Sequence, residues 1–141
     1  MWNSIEQRHL YQYLFSIPNP NLSNHKGETK LHLECINHMK SWAVSGELKA
    51  LWFHPANETL KKGDTGWGML LKMMGKLPGV PDLIFLWDKG SGCIELKSSK
   101  GRLTEEQETF KKWCCEFNIP YAICRSLKEV EKTLKDWKVL K

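Results

Sequence analysis

Residues 81–97 read Pro81-Asp82-Leu83-Ile84-Phe85-Leu86-Trp87-Asp88-Lys89-Gly90-Ser91-Gly92-Cys93-Ile94-Glu95-Leu96-Lys97, and the fold turns on how this stretch pairs with itself. The apolar run 83–87 has the length of a buried strand and is too short for a core helix. Turn chemistry follows at 88–92, and the pattern alternates from Cys93, so the stretch predicts a β-hairpin. On its second strand Glu95 and Lys97 leave one face while Ile94 and Leu96 leave the other. A hairpin sets the start of one strand beside the end of the next. Asp82 therefore comes close to Glu95 and Lys97.

C-terminal to the hairpin, Thr104-Glu105-Glu106-Gln107 has the form of a capping box and opens a helix through Phe110, Trp113, Cys114 and Phe117 to Asn118. A short strand is predicted over 121–124. Ser126 then caps a last helix with Leu127, Val130, Leu134 and Trp137 on its inner face. N-terminal to the hairpin, residues 57–79 are the least regular part, with five glycines and a short helix expected over 69–74. Residues 49–54 read as a strand. Leu31, Cys35, Met39 and Trp42 recur at intervals of four, four and three, a buried helical stripe, and Gly46 is a natural stop for that helix. Proline, asparagine and serine over 18–27 mark a linker. Before it, Ser4 and Gln7 suggest another capping box, and Ile5, Leu10, Tyr13, Leu14 and Ile17 supply a helical apolar face. Two units are therefore expected, an N-terminal helix and linker over 1–27 and a core over 28–141. The core order, α-β-β-β-α-β with a closing helix, is that of an α/β domain with a mixed sheet.

The 141 residues are 41% hydrophobic and 26% charged, in the range where a single core buries about 68% of the unfolded surface. The most apolar stretch, 77–87, holds two prolines, a glycine and Asp82, which excludes a membrane-spanning helix. No basic segment leads into an apolar run at the N-terminus, so a cytoplasmic protein is expected. Five cysteines without metal-type spacing point to buried reduced thiols. The net charge of +5 is uneven: residues 71–141 hold fourteen Lys and Arg against ten Asp and Glu, a mild hint of a polyanionic partner.

Two carboxylates and an ammonium at one point have a specific chemistry. The carboxylates repel unless a cation joins them, and oxygen ligands favour Mg²⁺ or Mn²⁺. Such a cation lowers the pKa of water, and a nearby lysine orients that water or takes its proton, an arrangement suited to phosphodiester hydrolysis. The bland alternative is that Asp82 is a turn residue and Glu95 and Lys97 are an exposed pair on an edge.

The surroundings favour the first reading. Gly79-Val80-Pro81-Asp82-Leu83, Ile94-Glu95-Leu96-Lys97 and Leu103-Thr104-Glu105-Glu106-Gln107 resemble, in order and spacing, the VRR-NUC family of PD-(D/E)xK nucleases. Glu28 with Leu31 and His32 is similar to the family's first-helix pattern, and His54-Pro55-Ala56-Asn57-Glu58 to its His-x-Pro-Asn segment. The resemblance runs from about residue 28 to 123. It implies a restriction-endonuclease-like core with an extra N-terminal helix and Mg²⁺- or Mn²⁺-dependent hydrolysis of DNA. By position it implies that Asp82, Glu95, the Leu96 carbonyl and Glu28 hold the metal, that Lys97 positions the attacking water, and that Gln107 lies close by. Gln107 serves equally as the capping partner of Thr104, and Glu28 as an acid at a helix N-terminus. The chain departs from the family at two places. His32 stands where glutamine is usual, and Ala56 shifts the register of Asn57 and Glu58.

Lys61, Lys62, Lys72 and Lys76 precede Asp82, while Lys100 and Arg102 follow Lys97, so bases flank the acidic centre as phosphate contacts or as solvated loop residues. Trp67, between two glycines, either stacks on an unpaired base or packs its loop. His32, Asn57 and Glu58 complete the candidate DNA contacts. Stand-alone domains of this family, often phage-encoded, resemble homodimeric resolvases of four-way (Holliday) junctions. Branched DNA and a second copy are thus the expected partners, with no membrane and no nucleotide cofactor. The alternatives are a non-catalytic DNA-binding module of the same fold, or a nuclease that nicks or cuts flaps or single strands.

Overall fold

The computed structural model describes residues 5–55 and 65–141. Helix α1 (Ile5–Ser16) and a 3-10 turn (Leu22–Asn24) precede α2 (Gly27–Ser45), β1 (Leu51–Phe53), α3 (Thr65–Met73), β2 (Leu83–Trp87), β3 (Gly90–Leu96), α4 (Glu105–Glu116), β4 (Tyr121–Cys124) and α5 (Leu127–Asp136). The sheet order is β1-β2-β3-β4. The first three strands are antiparallel and β4 lies parallel to β3. A parallel neighbour requires a crossover, which α4 supplies. The result is the mixed α/β architecture expected of a restriction-endonuclease-like domain.

The hairpin forms because one register satisfies both faces. Leu83 pairs with Ile94 and Phe85 with Gly92, so Leu83, Phe85, Ile94 and Leu96 share the face that packs on α2 and α5. All four side chains are buried, beside Cys35 and Met39 of α2 and Val130 and Leu134 of α5. Each is worth about 2 kcal/mol, so a slip of one residue, which would turn all four outward, forfeits on the order of 8 kcal/mol. The register is fixed by the core.

The turn is shorter than the glycines at 90 and 92 suggest. Trp87 pairs directly with Gly90, leaving Asp88 and Lys89 as a two-residue turn, and 90–92 belong to β3. Gly92 is instead needed for packing: a Cβ there would lie 2.6 Å from the indole of Trp137, which also stacks on Trp87 with ring centroids 5.8 Å apart. A glycine inside a strand marks close approach here, not a reversal.

The helix ends follow their sequence signals. Gly46 closes α2 in the left-handed conformation at φ 80°, and Thr104 and Gln107 form the complete capping box of α4. Ser126 accepts from the Glu129 amide, while the Glu129 carboxylate accepts from Arg125 N at 2.6 Å. Expectation fails for part of α1. Leu10 and Leu14 line a small cavity with Ala43, Leu48, Ala50 and Trp52, so the helix folds back on its own chain, but Leu10, Tyr13 and Ile17 are each exposed. Ser4 of the expected capping box lies outside the described residues. The linker is tied down by buried Lys40, whose Nζ donates to Asn19 Oδ1 at 2.8 Å. Four of the five cysteines are buried, whereas Cys115 is exposed, and burial pushes the Cys35 and Cys93 thiols up to about 12. Among the described residues no helix is long and apolar enough to cross a membrane.

Candidate active site

The site forms where β3 ends. Asp82, just before β2, turns its Oδ2 to accept the Leu96 amide at 2.8 Å, which ties the entry of one strand to the exit of the other. Glu95 projects to the face opposite Ile94 and Leu96, under the N-terminal end of α4. There Gln107 Nε2 donates to Glu95 Oε1 at 2.7 Å, and Lys97 Nζ stands 3.4 Å from the same oxygen. Gln107 is the capping partner and also lies at the cluster, since its Oε1 accepts from the Thr104 amide at 2.9 Å while its Nε2 donates to Glu95. The close approach of the Asp82 segment to α4 depends on Gly79, at φ +71°: a Cβ there would lie 2.2 Å from the Glu106 carbonyl oxygen. The sequence-expected cluster of Asp82, Glu95, Lys97 and Gln107 is therefore assembled in space, and Glu95 and Lys97 are not an exposed edge pair.

Its electrostatics are unbalanced. Glu95 is 2% exposed and Lys97 is 6% exposed, yet Glu95 Oε2 is buried and has no hydrogen-bond partner among the described residues. Burial first, and then the neighbouring Asp82 charge, push the Glu95 carboxyl up to about 7, against the opposing pull of Lys97. A buried acid with an idle oxygen facing a second carboxylate fits a hard divalent cation as its partner. Asp82, Glu95 and the Leu96 carbonyl could serve as donors to such an ion.

Glu28, in the first turn of α2, reaches the turn that follows β3, and its carboxylate is not gathered with those of Asp82 and Glu95 among the described residues. Its Oε1 accepts from the Ser98 amide at 3.3 Å, one residue beyond Lys97. The 98–101 turn that receives it is held by Arg125, whose guanidinium donates to the carbonyls of Ser98 and, at 2.8 Å, Gly101. Three further neighbours are not among the candidate site residues of the sequence. Arg125 acts through backbone carbonyls and leaves no motif. Tyr121, opposite Cys93 on the Glu95 face, has a buried hydroxyl without a hydrogen-bond partner among the described residues, and burial raises its pKa. His54 stands in the segment 54–58, whose sequence assigns it no contact; its Nδ1 lies 2.7 Å from the Asp82 carbonyl oxygen, and its ring meets His32 edge-on with centroids 4.7 Å apart.

A family model for the VRR-NUC domain matches residues 21–128, more than half of the chain. The chain belongs to the VRR-NUC family. It is therefore a member of a nuclease family, which implies DNA as the substrate. The comparison with curated proteins finds no match, and neither does the comparison with solved structures. The VRR-NUC match contains Glu28, Asp82, Glu95, Lys97 and Gln107, so the assembled cluster lies within the family domain.

Apart from His32, which packs on His54, the candidate DNA contacts of this VRR-NUC domain divide into three groups. Lys100 and Arg102 are exposed on the segment following Lys97, next to the acidic cluster in sequence. Trp67 is not in an irregular loop: it lies in helix α3, 53% exposed, with Lys72 in the last turn of that helix and Lys76 just beyond it. The helix begins four residues earlier than the expected 69–74 and includes both Gly66 and Gly68. Asn57, Glu58, Lys61 and Lys62 lie outside the described residues.

Proposed function

We propose that this VRR-NUC domain is a divalent-cation-dependent, structure-selective DNA endonuclease that acts on four-way junctions as a homodimer. The observation that carries the reading is Glu95: a buried carboxylate with one oxygen unpartnered among the described residues, beside Asp82 and Lys97. A fold that only bound DNA would gain by replacing that acid with an apolar or amide side chain, since an inadequately paired buried charge is destabilising. Its retention is explained if a ligand completes it.

Asp82, Glu95, the Leu96 carbonyl and Glu28 are the groups that would hold Mg²⁺ or Mn²⁺. When bound, such an ion supplies positive charge at the scissile phosphate and eases deprotonation of water. The chain's own side chains do the rest. Lys97, the buried cation of the cluster, orients the attacking water and the phosphate oxygen. Gln107 fixes the Glu95 carboxylate through its amide, and Leu96 N fixes Asp82. Lys100 and Arg102 extend positive charge from the site along the phosphate backbone, which gives affinity without base readout. Exposed Trp67 offers a ring for an unstacked base at a branch point. Resolution of a junction needs two symmetric cuts and hence two sites, which is the reason for a dimer.

The test is incubation of the protein with labelled four-way-junction, flap, single-stranded and linear duplex DNA, with Mg²⁺, Mn²⁺ or EDTA, beside Asp82→Asn. Paired symmetric cuts in the junction that need both the metal and Asp82 are the expected result. Cleavage confined to another substrate removes the junction specificity and retains the nuclease. Absence of cleavage on every substrate in both metals, with DNA binding intact, overturns the proposal in favour of a binding module.

A further inference from the structure

We infer that His32, His54 and Asp82 form a second cation site, which takes a nitrogen-preferring first-row transition metal ion, beside the oxygen-lined site of Asp82 and Glu95. The three residues come from three separate elements. His32 lies one turn along α2 from Glu28. His54 follows β1, whose antiparallel register places Phe53 opposite Ile84 and so brings the histidine level with the start of β2. One ring nitrogen of each histidine and a carboxylate oxygen of Asp82 all lie within 4.8 Å of one another. Donors around a tetrahedral ion with metal–nitrogen bonds of about 2.1 Å are about 3.4 Å apart, so closure needs only a small rotation of the side chains.

A second observation points the same way. His54 Nδ1 lies 2.7 Å from the Asp82 main-chain oxygen. A carbonyl oxygen only accepts, so in this contact Nδ1 is the donor. Histidines that bind metals show this arrangement: one ring nitrogen donates to a carbonyl or carboxylate, which fixes the tautomer and aims the other nitrogen. Two imidazoles and one carboxylate suit Zn²⁺, Co²⁺ or Mn²⁺, whereas Mg²⁺ avoids nitrogen and keeps its water. The sites would therefore differ in preference while sharing Asp82. Mg²⁺ would occupy one and a transition metal ion both. The geometry of the histidine site does not depend on cleavage of DNA, so its test is a binding measurement.

The probe is Co²⁺ added to the metal-stripped full chain, read by its visible ligand-field absorption, together with Mn²⁺ examined by pulsed paramagnetic resonance for imidazole nitrogen coupling. The wild type is expected to show both signals. His32→Gln and His54→Asn are each expected to weaken Co²⁺ binding by at least about tenfold, while the Mg²⁺ affinity from calorimetry stays within about twofold. Asp82→Asn should weaken both metals. The nitrogen coupling is measured on the wild type, so the inference stays testable even if a variant fails to fold. No imidazole coupling in the wild type, or Co²⁺ binding unchanged in the double histidine variant, overturns it and leaves His32 and His54 as an edge-packed pair. Loss of DNA cleavage with both signals intact would bear on the proposed nuclease activity alone.

Discussion

Replacing Glu95 by glutamine should make the protein more stable at pH 8 and inactive, with the gain in stability disappearing in acid. Glu95 titrates near 7 in the folded chain against an ordinary 4.5. Between those values the folded state holds a proton that the unfolded state has lost, so stability falls as pH rises through this window and then levels off. At about 1.4 kcal/mol per pKa unit the full penalty above pH 7 is roughly 3 kcal/mol. Glutamine removes the charge and still accepts from Gln107, and the pull of Lys97 is already contained in the raised pKa, so the net gain is the same roughly 3 kcal/mol. For a domain of this size that is a rise in Tm of about 9 °C. The assay is thermal or urea unfolding of both proteins in EDTA from pH 4.5 to 8. Groups that titrate alike in the two proteins cancel in the difference. The gain should be close to zero at the acid end and approach its full value by pH 8. A difference that is flat across pH, or a variant less stable than the wild type at pH 8, refutes the claim that Glu95 is held at the expense of stability.

Gly79→Ala should lower stability by at least about 2 kcal/mol and reduce cleavage, because the new methyl meets the backbone of Glu106 and Gln107 at a left-handed position; Gly66→Ala, with open space around its Cβ, is the control in the same unfolding assay. Thr104→Ala and Gln107→Ala should each cost about 1 kcal/mol through the lost cap, but only Gln107→Ala frees Glu95 and should lower kcat by at least about tenfold. Arg125→Ala should loosen the 98–101 turn that receives Glu28, seen as faster amide exchange at Ser98 and Gly101 and weaker Mg²⁺ binding. A divalent cation must displace the proton from Glu95, so apparent Mg²⁺ affinity by calorimetry should rise about tenfold per pH unit up to about pH 7 and then level off. Affinity independent of pH would remove Glu95 from the binding site.

The parts legible in the sequence were those fixed by local pattern. The apolar run 83–87, the alternation through Glu95 and the Thr104–Gln107 spacing each set an element and a face, and those faces assemble Asp82, Glu95, Lys97 and Gln107. Long-range contacts left weaker traces. Gly92 has the composition of a turn, but its role is set by Trp137, forty-five residues later, and the exposed side of α1 is decided by how α2 and β1 meet it. Arg125 supports the site through main-chain carbonyls, whose partners have no sequence signature. His54 had a visible position, but its importance rests on a ring nitrogen reaching the Asp82 backbone across paired strands.

Strand β3 joins stability and function in one stretch of chain. The inward-facing neighbours of Glu95, Ile94 and Leu96, are among the most buried side chains of the core, and their register with β2 is worth on the order of 8 kcal/mol. The same alternation obliges Glu95 to point under α4, where its ionised form is disfavoured by roughly 3 kcal/mol. Hydrophobic burial outweighs the cost of the charge and decides the geometry. Glu95 is therefore held where a carboxylate would not settle by itself, with Gln107 and Lys97 limiting its freedom on one oxygen and leaving the other open. An ion that bound there would relieve a strain that the hydrophobic register imposes, so the Ile94 and Leu96 side chains would contribute by their packing to cation affinity without themselves touching the cation. Trimming Leu96 to alanine would then weaken cation binding as well as folding, whereas trimming Leu134, which is equally buried but belongs to α5 and not to the strand that carries Glu95, should affect chiefly folding.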